Sequence, residues 1–307
     1  MSSTNAGGWL SEPAPAKINL YLHILGRRDD GYHHLDSLVV FAGVQDTLLA
    51  RLDDSLRLDI SGPFAATLEG VGEDNLMMRA ARGLAEIAGR ASDAHLRLVK
   101  RLPVAAGIGG GSADAAATLR LLCRLWELTP DRESLEALAL RLGADVPVCL
   151  DGRALFVGGV GEALCPAPGL PSAWFVLVNP GVPLATGGVF SARTGPNSVS
   201  GRFDTDPADV AALAALLSDR SNDLEAPARG LEPVVSEVLD ALDAVPGCHL
   251  ARMSGSGATC FGLFTNEISA RGGVASITTA HPRWWSVAAP LVRSRAEAEA
   301  LALSAGS

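Results

Sequence analysis

The stretch PAKINL sets Lys17 and Asn19 two residues apart among apolar neighbours. On a strand both point to one face and Ile18 to the other. A lysine in such a strand must find a carboxylate, a phosphate or water for its ammonium. One carboxylate stands far along the chain: LGADVPV presents Asp145 just after a helical segment, ahead of Val146 and Pro147. Brought together, the cation would orient the carboxylate, and the carboxylate could take a proton from an alcohol. Read singly, each has a plainer account. Lys17 is then an edge-strand lysine with its head in water, and Asp145 a turn residue flanking a helix.

Between them lies LPVAAGIGGGSADAA, Leu102 to Ala116, in which only Ile108 interrupts four glycines from Gly107 to Gly111. The order is strand, Pro103, glycine turn, Ser112, helix. It puts unpaired amides and the positive end of a helix dipole where an anion, above all a phosphate, could sit. Glycine permits positive φ and lets a ligand approach the main chain. Ser112 can cap the helix or donate to a phosphate oxygen. The loop is not GxxxxGK[ST], because no lysine follows the last glycine. It also fails the dinucleotide fingerprint, whose sixth position is here a serine. The alternative is a glycine turn that only lets a helix pack tightly.

GYHH offers Tyr32, His33 and His34 in a turn. Adjacent histidines do not share a face and no cysteine or acid cluster completes a ligand set, so zinc is not expected. An aromatic side chain there can stack on a base. MSGSGA, Met253 to Ala258, is a Gly/Ser loop between strands, either a tight hairpin or a second main-chain clamp on phosphate.

The elements that must carry these residues follow from periodicity. AKINLYLHIL (16–25), LDSLVVFAGV, DTLLARL and LRLDISG read as short strands with turns between them. Residues 75–89 read as an amphipathic helix, HLRLVKRL as a strand, and SADAAATLRLLCRLWEL as a strong helix. DRESLEALALRLG is a helix capped by Asp131 and closed by Gly143. GADVPVCLDG reads as a loop, followed by short strands. Beyond it come the strand AWFVLVNPG, helices in DPADVAALAALL and EPVVSEVLDALDAV, and the strands flanking MSGSGA. EISARGGVASITTAH is a weaker helix, with Gly272 and Gly273 against it, and RWWSVAAPLV is the last strand. Residues 1–12 read as a loose tail. The expected class is α/β (α+β), two domains, 1–160 and 161–307, divided at the Gly158–Gly161 cluster and PAPGLP.

Composition sets the outer limits. A chain of 307 residues, 48% hydrophobic and 19% charged, can build more than one small core and is not disordered. A net charge of −9 argues against nucleic-acid and anionic-membrane partners. No apolar run is long enough to span a membrane and the N-terminus has no secretory signal, so a cytoplasmic protein is expected. The five cysteines, an odd count without a CxxC pair, read as packed reduced thiols.

Taken together, Pro103 to Ala113, PAKINLYLHILGRRDDGYHHLDSL, EDNLMMRAA, LGADVPV, GVGE, NPGV, SNDLE and MSGSGA resemble, in order, the GHMP kinase superfamily of galactokinase, homoserine, mevalonate and phosphomevalonate kinases. They are most similar to its branch acting on a cytidine-diphosphate sugar alcohol in the non-mevalonate route to isoprenoids. The resemblance covers about 250 residues, and its combination of motifs is more specific than any single one.

It implies a two-domain fold, the first domain like domain 2 of ribosomal protein S5 and the second ferredoxin-like, with ATP as donor and Mg²⁺ as cofactor. Its small-molecule partners are ATP and the cytidyl alcohol; no protein partner is implied. Asp145 would take the hydroxyl proton and Lys17 would hold that hydroxyl and the carboxylate. Asn19 and Thr186 would lie on the acceptor side, with Tyr32 and Phe190 sandwiching the cytosine and His33 reading its edge. Asn75, Leu76 and Lys100 would surround the adenosine. Pro103, Val104, Ala105, Ala106, Gly107, Ile108, Gly109, Gly110, Gly111, Ser112 and Ala113 would form the ATP loop. Amides from Gly107 to Ala113 would lie on the phosphates, and Ser112 would link to Mg²⁺. Ala105 stands where glycine is frequent in that family, Ile108 where leucine is, Ala113 replaces a second serine, and Asp114 an asparagine. Other acceptors, of mevalonate or homoserine type, and a nucleotide-binding protein without catalysis are the competing readings.

Overall fold

The computed structural model describes residues 8–29, 31–70 and 72–305. Residues 1–7 of the expected tail lie outside the described residues, and from Leu10 the chain is already strand. β1 (Leu10–Arg27) and β2 (His33–Leu52) form one long antiparallel ribbon. Gly43 does not break β2 into the two strands expected. It lies where the last strand crosses, and a Cβ there would come within 2.8 Å of Pro290 Cγ. The ladder slips between Asn19 and Tyr21, where Leu20 is the extra residue; bulges of this kind re-aim neighbouring side chains.

β3 (Arg57–Ser61) and the parallel β4 (Ala94–Val99) flank α1 (Leu76–Ile87), whose cap Asn75 accepts from the Met77 N–H at 2.9 Å. α2 (Gly110–Leu125) leaves the glycine turn, and α3 (Arg132–Leu142) is capped by Asp131 and closed by Gly143 as expected. The segment expected as a loop holds α4 (Val146–Asp151). Pro147 sits in its first turn, where a missing N–H costs nothing, and Gly152 at φ +71 stops it. β5 (Leu155–Gly159) and β6 (Ala163–Pro166) complete this half. The four helices bury Leu84, Leu119, Leu138 and Val148 against Phe41 and Leu96 of the sheet.

The second half runs β7 (Trp174–Asn179), α5 (Thr186–Ala192), α6 (Val210–Ser218), α7 (Glu225–Leu231), α8 (Val234–Asp243), β8 (Leu250–Met253), β9 (Cys260–Phe264), α9 (Glu267–Ala280), β10 (Trp285–Val292) and α10 (Arg295–Ala305). α9 forms in spite of its glycines. A Cβ at Gly273 would lie 3.0 Å from Val245, so glycine there lets the helix lie close to the core. α5, α7 and α10 are additions to the expected elements.

The strand order is β3-β4-β2-β10-β7-β9-β8, with β1 and β5 also on β2 and β6 on β5. β10 is the joint: it pairs with β7 from Trp285 to Pro290 and with β2 at Leu291 and Val292. All five cysteines are free; Cys149 and Cys260 are buried and Cys165 is exposed. Among the described residues no helix is long and apolar enough to cross a membrane.

Candidate active site

Lys17 and Asp145, 128 positions apart in the chain, meet. Lys17 Nζ lies 2.8 Å from Asp145 Oδ1, with the lysine side chain 4% and the aspartate 44% exposed. The strand β1 supplies the lysine, and its main-chain N–H donates to Ile108 O at 2.9 Å, so the strand is tied to the glycine turn at that residue. Asp145 is the N-cap position of α4, its carboxylate making no cap bond and turned instead to the lysine.

The glycines have separate tasks. Gly107, at φ +74, touches the second Gly/Ser loop main chain to main chain; a Cβ would strike Ser254 O and come within 2.6 Å of Gly257 N. Gly255 returns the contact: a Cβ there would come within 2.5 Å of Gly107 O. Gly109, at φ +62, faces the stem of Lys17; a Cβ there would come within 3.1 Å of Lys17 Cβ. Gly110 leaves room for the ammonium of Lys100, which a Cβ there would approach to 3.2 Å. Ile108 points inward and is 1% exposed. MSGSGA is therefore a clamp on the first loop as well as a turn. Ser254 Oγ accepts from the Asn19 N–H at 3.1 Å and donates to Gly107 O at 3.2 Å, and the Thr259 N–H donates to Ala106 O at 3.1 Å.

Ser112 does not cap α2. The cap position is Gly109, and no side chain closes the helix start. The Ala113 N–H is also not available to a phosphate, because it donates to Gly109 O at 2.8 Å. That leaves the amides of Gly110, Gly111 and Ser112, which an α-helix cannot satisfy internally, at the mouth of the loop. A cavity of about 200 Å³ opens beside them, lined by Asn75, Leu76, Pro103, Val104 and Ala105 together with Leu68 and Asp74. Ala105 takes φ +52, a left-handed conformation that glycine adopts at lower cost than alanine.

Lys100 lines the same cavity, but its ammonium is already committed. It donates to Asp46 Oδ2 and to Asp114 Oδ2, each at 2.6 Å, and is 2% exposed. Asp46 also accepts from the Leu102 N–H at 2.9 Å, fastening the entry of the loop. Burial, with Asp46 nearby and against the pull of Lys100, pushes the Asp114 carboxyl up to about 7. Its second oxygen, Oδ1, is buried without a partner. Asp46 was not singled out from the sequence, where it sits between Gln45 and Thr47 and looks like an ordinary polar turn.

On the other side, Asn19 donates to Ser37 Oγ at 2.8 Å and keeps a buried, unpartnered Oδ1. Thr186 Oγ1 lies 2.9 Å from Ser256 Oγ, joining α5 to the Gly/Ser loop. One face of Phe190 is already covered. The imidazole of His33 stacks on it, centroids 4.9 Å apart and 29° between planes, and Tyr32 is 64% exposed. A flat apolar ring face is covered by the nearest flat group. Burial, aided by the cations Arg27 and Arg193, holds the His33 pKa below the ordinary histidine value. Asn222, from SNDLE, was not assigned a role; its amide donates to Met253 O and Gly255 O, both at 2.8 Å, and fixes the second loop.

Two glycine loops locked together beside a buried lysine paired with a half-exposed carboxylate define the class. Models of the GHMP kinases N terminal domain and the GHMP kinases C terminal match residues 75–153 and 204–280. A homoserine kinase from Cytophaga hutchinsonii shares the fold, at TM-score 0.71 and 17% identity over 96% of this chain and 98% of that one. A crystal structure of 4-(cytidine 5'-diphospho)-2C-methyl-D-erythritol kinase superposes at TM-score 0.73 with 36% identity, covering 92% and 99%. Proteins named 4-diphosphocytidyl-2-C-methyl-D-erythritol kinase from Rhodospirillum rubrum and Paramagnetospirillum magneticum are 54% and 56% identical, over 94% and 91% of this chain and 95% and 97% of theirs. The chain belongs to the 4-diphosphocytidyl-2-C-methyl-D-erythritol kinase family.

Proposed function

We propose that the protein transfers the γ-phosphoryl group of ATP to the 2-hydroxyl of 4-diphosphocytidyl-2-C-methyl-D-erythritol, giving ADP and the 2-phosphate, in the non-mevalonate route to isopentenyl diphosphate. The observation that carries this reading is the 2.8 Å Lys17–Asp145 pair seated against the glycine turn. Asp145 accepts the hydroxyl proton as the O–P bond forms, and Lys17 holds the carboxylate and offsets charge gathering on the transferring group. The free amides at the start of α2 take phosphate oxygens, and the cavity by Asn75 and Leu76 takes the adenosine. Catalysis of this kind is mainly positioning and electrostatics.

Mg²⁺ would shield the phosphate charge. The donor set fits an ion carried in with the triphosphate: among the described residues no group of three or more His, Cys, Asp or Glu could hold it, and the Ser112 hydroxyl in the first turn of α2 is the side chain we assign to it. Cytosine binding requires the His33 ring to leave the face of Phe190, so that the base lies between Phe190 and Tyr32 and His33 turns to its polar edge. The free cysteines suit a cytoplasmic enzyme. We assign residues 1–160 to the ATP-binding domain and 161–307 to the second domain; the two family matches fall one on each side of that division.

The test is product analysis. Purified protein with ATP, Mg²⁺ and the cytidyl alcohol should yield ADP and a singly phosphorylated acceptor in equal amounts by ³¹P NMR. ATP binding without product would overturn the reading. Turnover of mevalonate or homoserine in preference to the cytidyl alcohol would replace its substrate.

A further inference from the structure

Arg120 lies on α2 away from the phosphate loop, with its side chain 9% exposed. Its Nε donates to Glu12 Oε1 at 2.6 Å, Glu12 being 2% exposed on β1. Its Nη1 donates to Cys149 O at 2.7 Å and reaches Leu150 O at 3.4 Å, the last carbonyls of α4. Its Nη2 reaches Pro13 O at 3.4 Å. One guanidinium thus grips three elements: α2, which starts at the phosphate loop; β1, which carries Lys17 five positions beyond Glu12; and α4, which begins at Asp145.

The energetics favour a definite geometry. α4 has only six residues, too short to be stable alone. Its final carbonyls have no intrahelical partners, and a cation at that end complements the helix dipole. Where Arg120 binds them fixes where that end of the helix lies against α2, and so where Asp145 stands at its beginning. The opposite side of that turn is set by Gly161, whose missing Cβ makes room for the main chain of Ala144. A planar fork with five donors spans a carboxylate and spaced carbonyls together, whereas an ammonium gathers its acceptors round one nitrogen.

We propose that Arg120, aimed by Glu12, is a positioning residue that holds the lysine strand and the aspartate helix in register, without touching substrate. The inference rests on the reading of Lys17 and Asp145 given above.

Arg120→Lys keeps a cation for Glu12 but loses the fork. Glu12→Gln keeps the carbonyl bonds and loosens the aim. In full-length protein, Arg120→Lys should lose on the order of 10- to 100-fold in kcat, since small misplacements of reacting groups cost that much. KM for ATP and acceptor should stay within about twofold, the pattern of an interaction that matters only in the transition state. ATP hydrolysis should grow as a share of turnover, and Glu12→Gln should show a smaller loss in the same direction. A crystal structure of Arg120→Lys should show α4 shifted and the Lys17–Asp145 separation longer than 2.8 Å. Unchanged kcat in both folded variants, or a rise in both KM values at constant kcat, overturns the proposal. Should Arg120→Lys fail to fold, Glu12→Gln carries the same kinetic and structural criteria alone. Should the wild type make no phosphorylated acceptor, the proposed function fails. The strut is then judged on the variant structure, where an unaltered Lys17–Asp145 separation overturns it.

Discussion

Asp145 is 44% exposed and makes no cap bond, so its carboxylate can be altered with little effect on the fold. Asp145→Asn keeps the shape and removes the proton acceptor. Turnover should fall by about 10²-fold or more, the usual worth of a general base, while ATP binding measured by calorimetry stays close to wild type. A turnover near normal would assign the base elsewhere. Ala105 gives a second test at this scale. Its φ of +52 costs an L-residue roughly 1–2 kcal/mol, and glycine returns part of that as unfolded-chain entropy. The side chain is exposed, so no packing is lost. Ala105→Gly should therefore raise the denaturation midpoint by up to about 1 kcal/mol of stability. A fall would show that the methyl group matters for another reason.

Among elements, the glycine loop and the Gly/Ser loop behave as one unit. Gly107→Ala forces a left-handed alanine, about 1–2 kcal/mol by itself, into contact with Ser254 and Gly257, and should lower Tm and raise the KM for ATP. Gly111→Ala meets only Leu76 at 3.6 Å and should leave Tm almost unmoved. Equal losses in the two variants would mean that loop contact is not what Gly107 provides.

The phosphate side of this unit was legible in PVAAGIGGGSADAA because glycine, serine and a following helix are local signals. The loop-to-loop side was not, since contacts between Gly107 and Gly255 span 148 positions and no spacing encodes them. The same holds for Asp46, Glu12 and Arg120, whose meaning is set by partners far along the chain. α4 was missed because its six residues are too few to show a period, although Asp145 followed by Pro147 is a helix-start pattern. β2 was cut in two because Gly43 looks like a turn until the crossing strand is seen. The His33–Phe190 stack could not be read from GYHH, since Phe190 reaches it only through α5.

At the scale of the whole molecule, the Asp46–Lys100–Asp114 cluster ties β2, the turn just after β4 and α2 together and should make stability depend on pH. A carboxyl pushed up to about 7 in the folded chain keeps a proton that the unfolded chain releases near pH 4. Protons are then bound more by the folded state, so stability falls as pH rises through that interval and the loss is complete above about 7. Asp114→Asn removes this titration. Its Tm advantage over wild type should be largest at pH 8 and shrink towards pH 5, read from melts across that range. A difference that does not change with pH would mean Asp114 stays ionised throughout.

The bonds from the Asn19 N–H to the Ser254 hydroxyl and from the Thr259 N–H to Ala106 O, with β10 threaded through both halves, brace the described residues against swinging open like a shell. Whatever adjusts to admit and release its two substrates must be the rim, at the His33 turn and α5, while the middle stays fixed. X-ray scattering profiles recorded empty and with nucleotide should accordingly overlay, and catalytic pace would be governed by small side-chain departures at the edge.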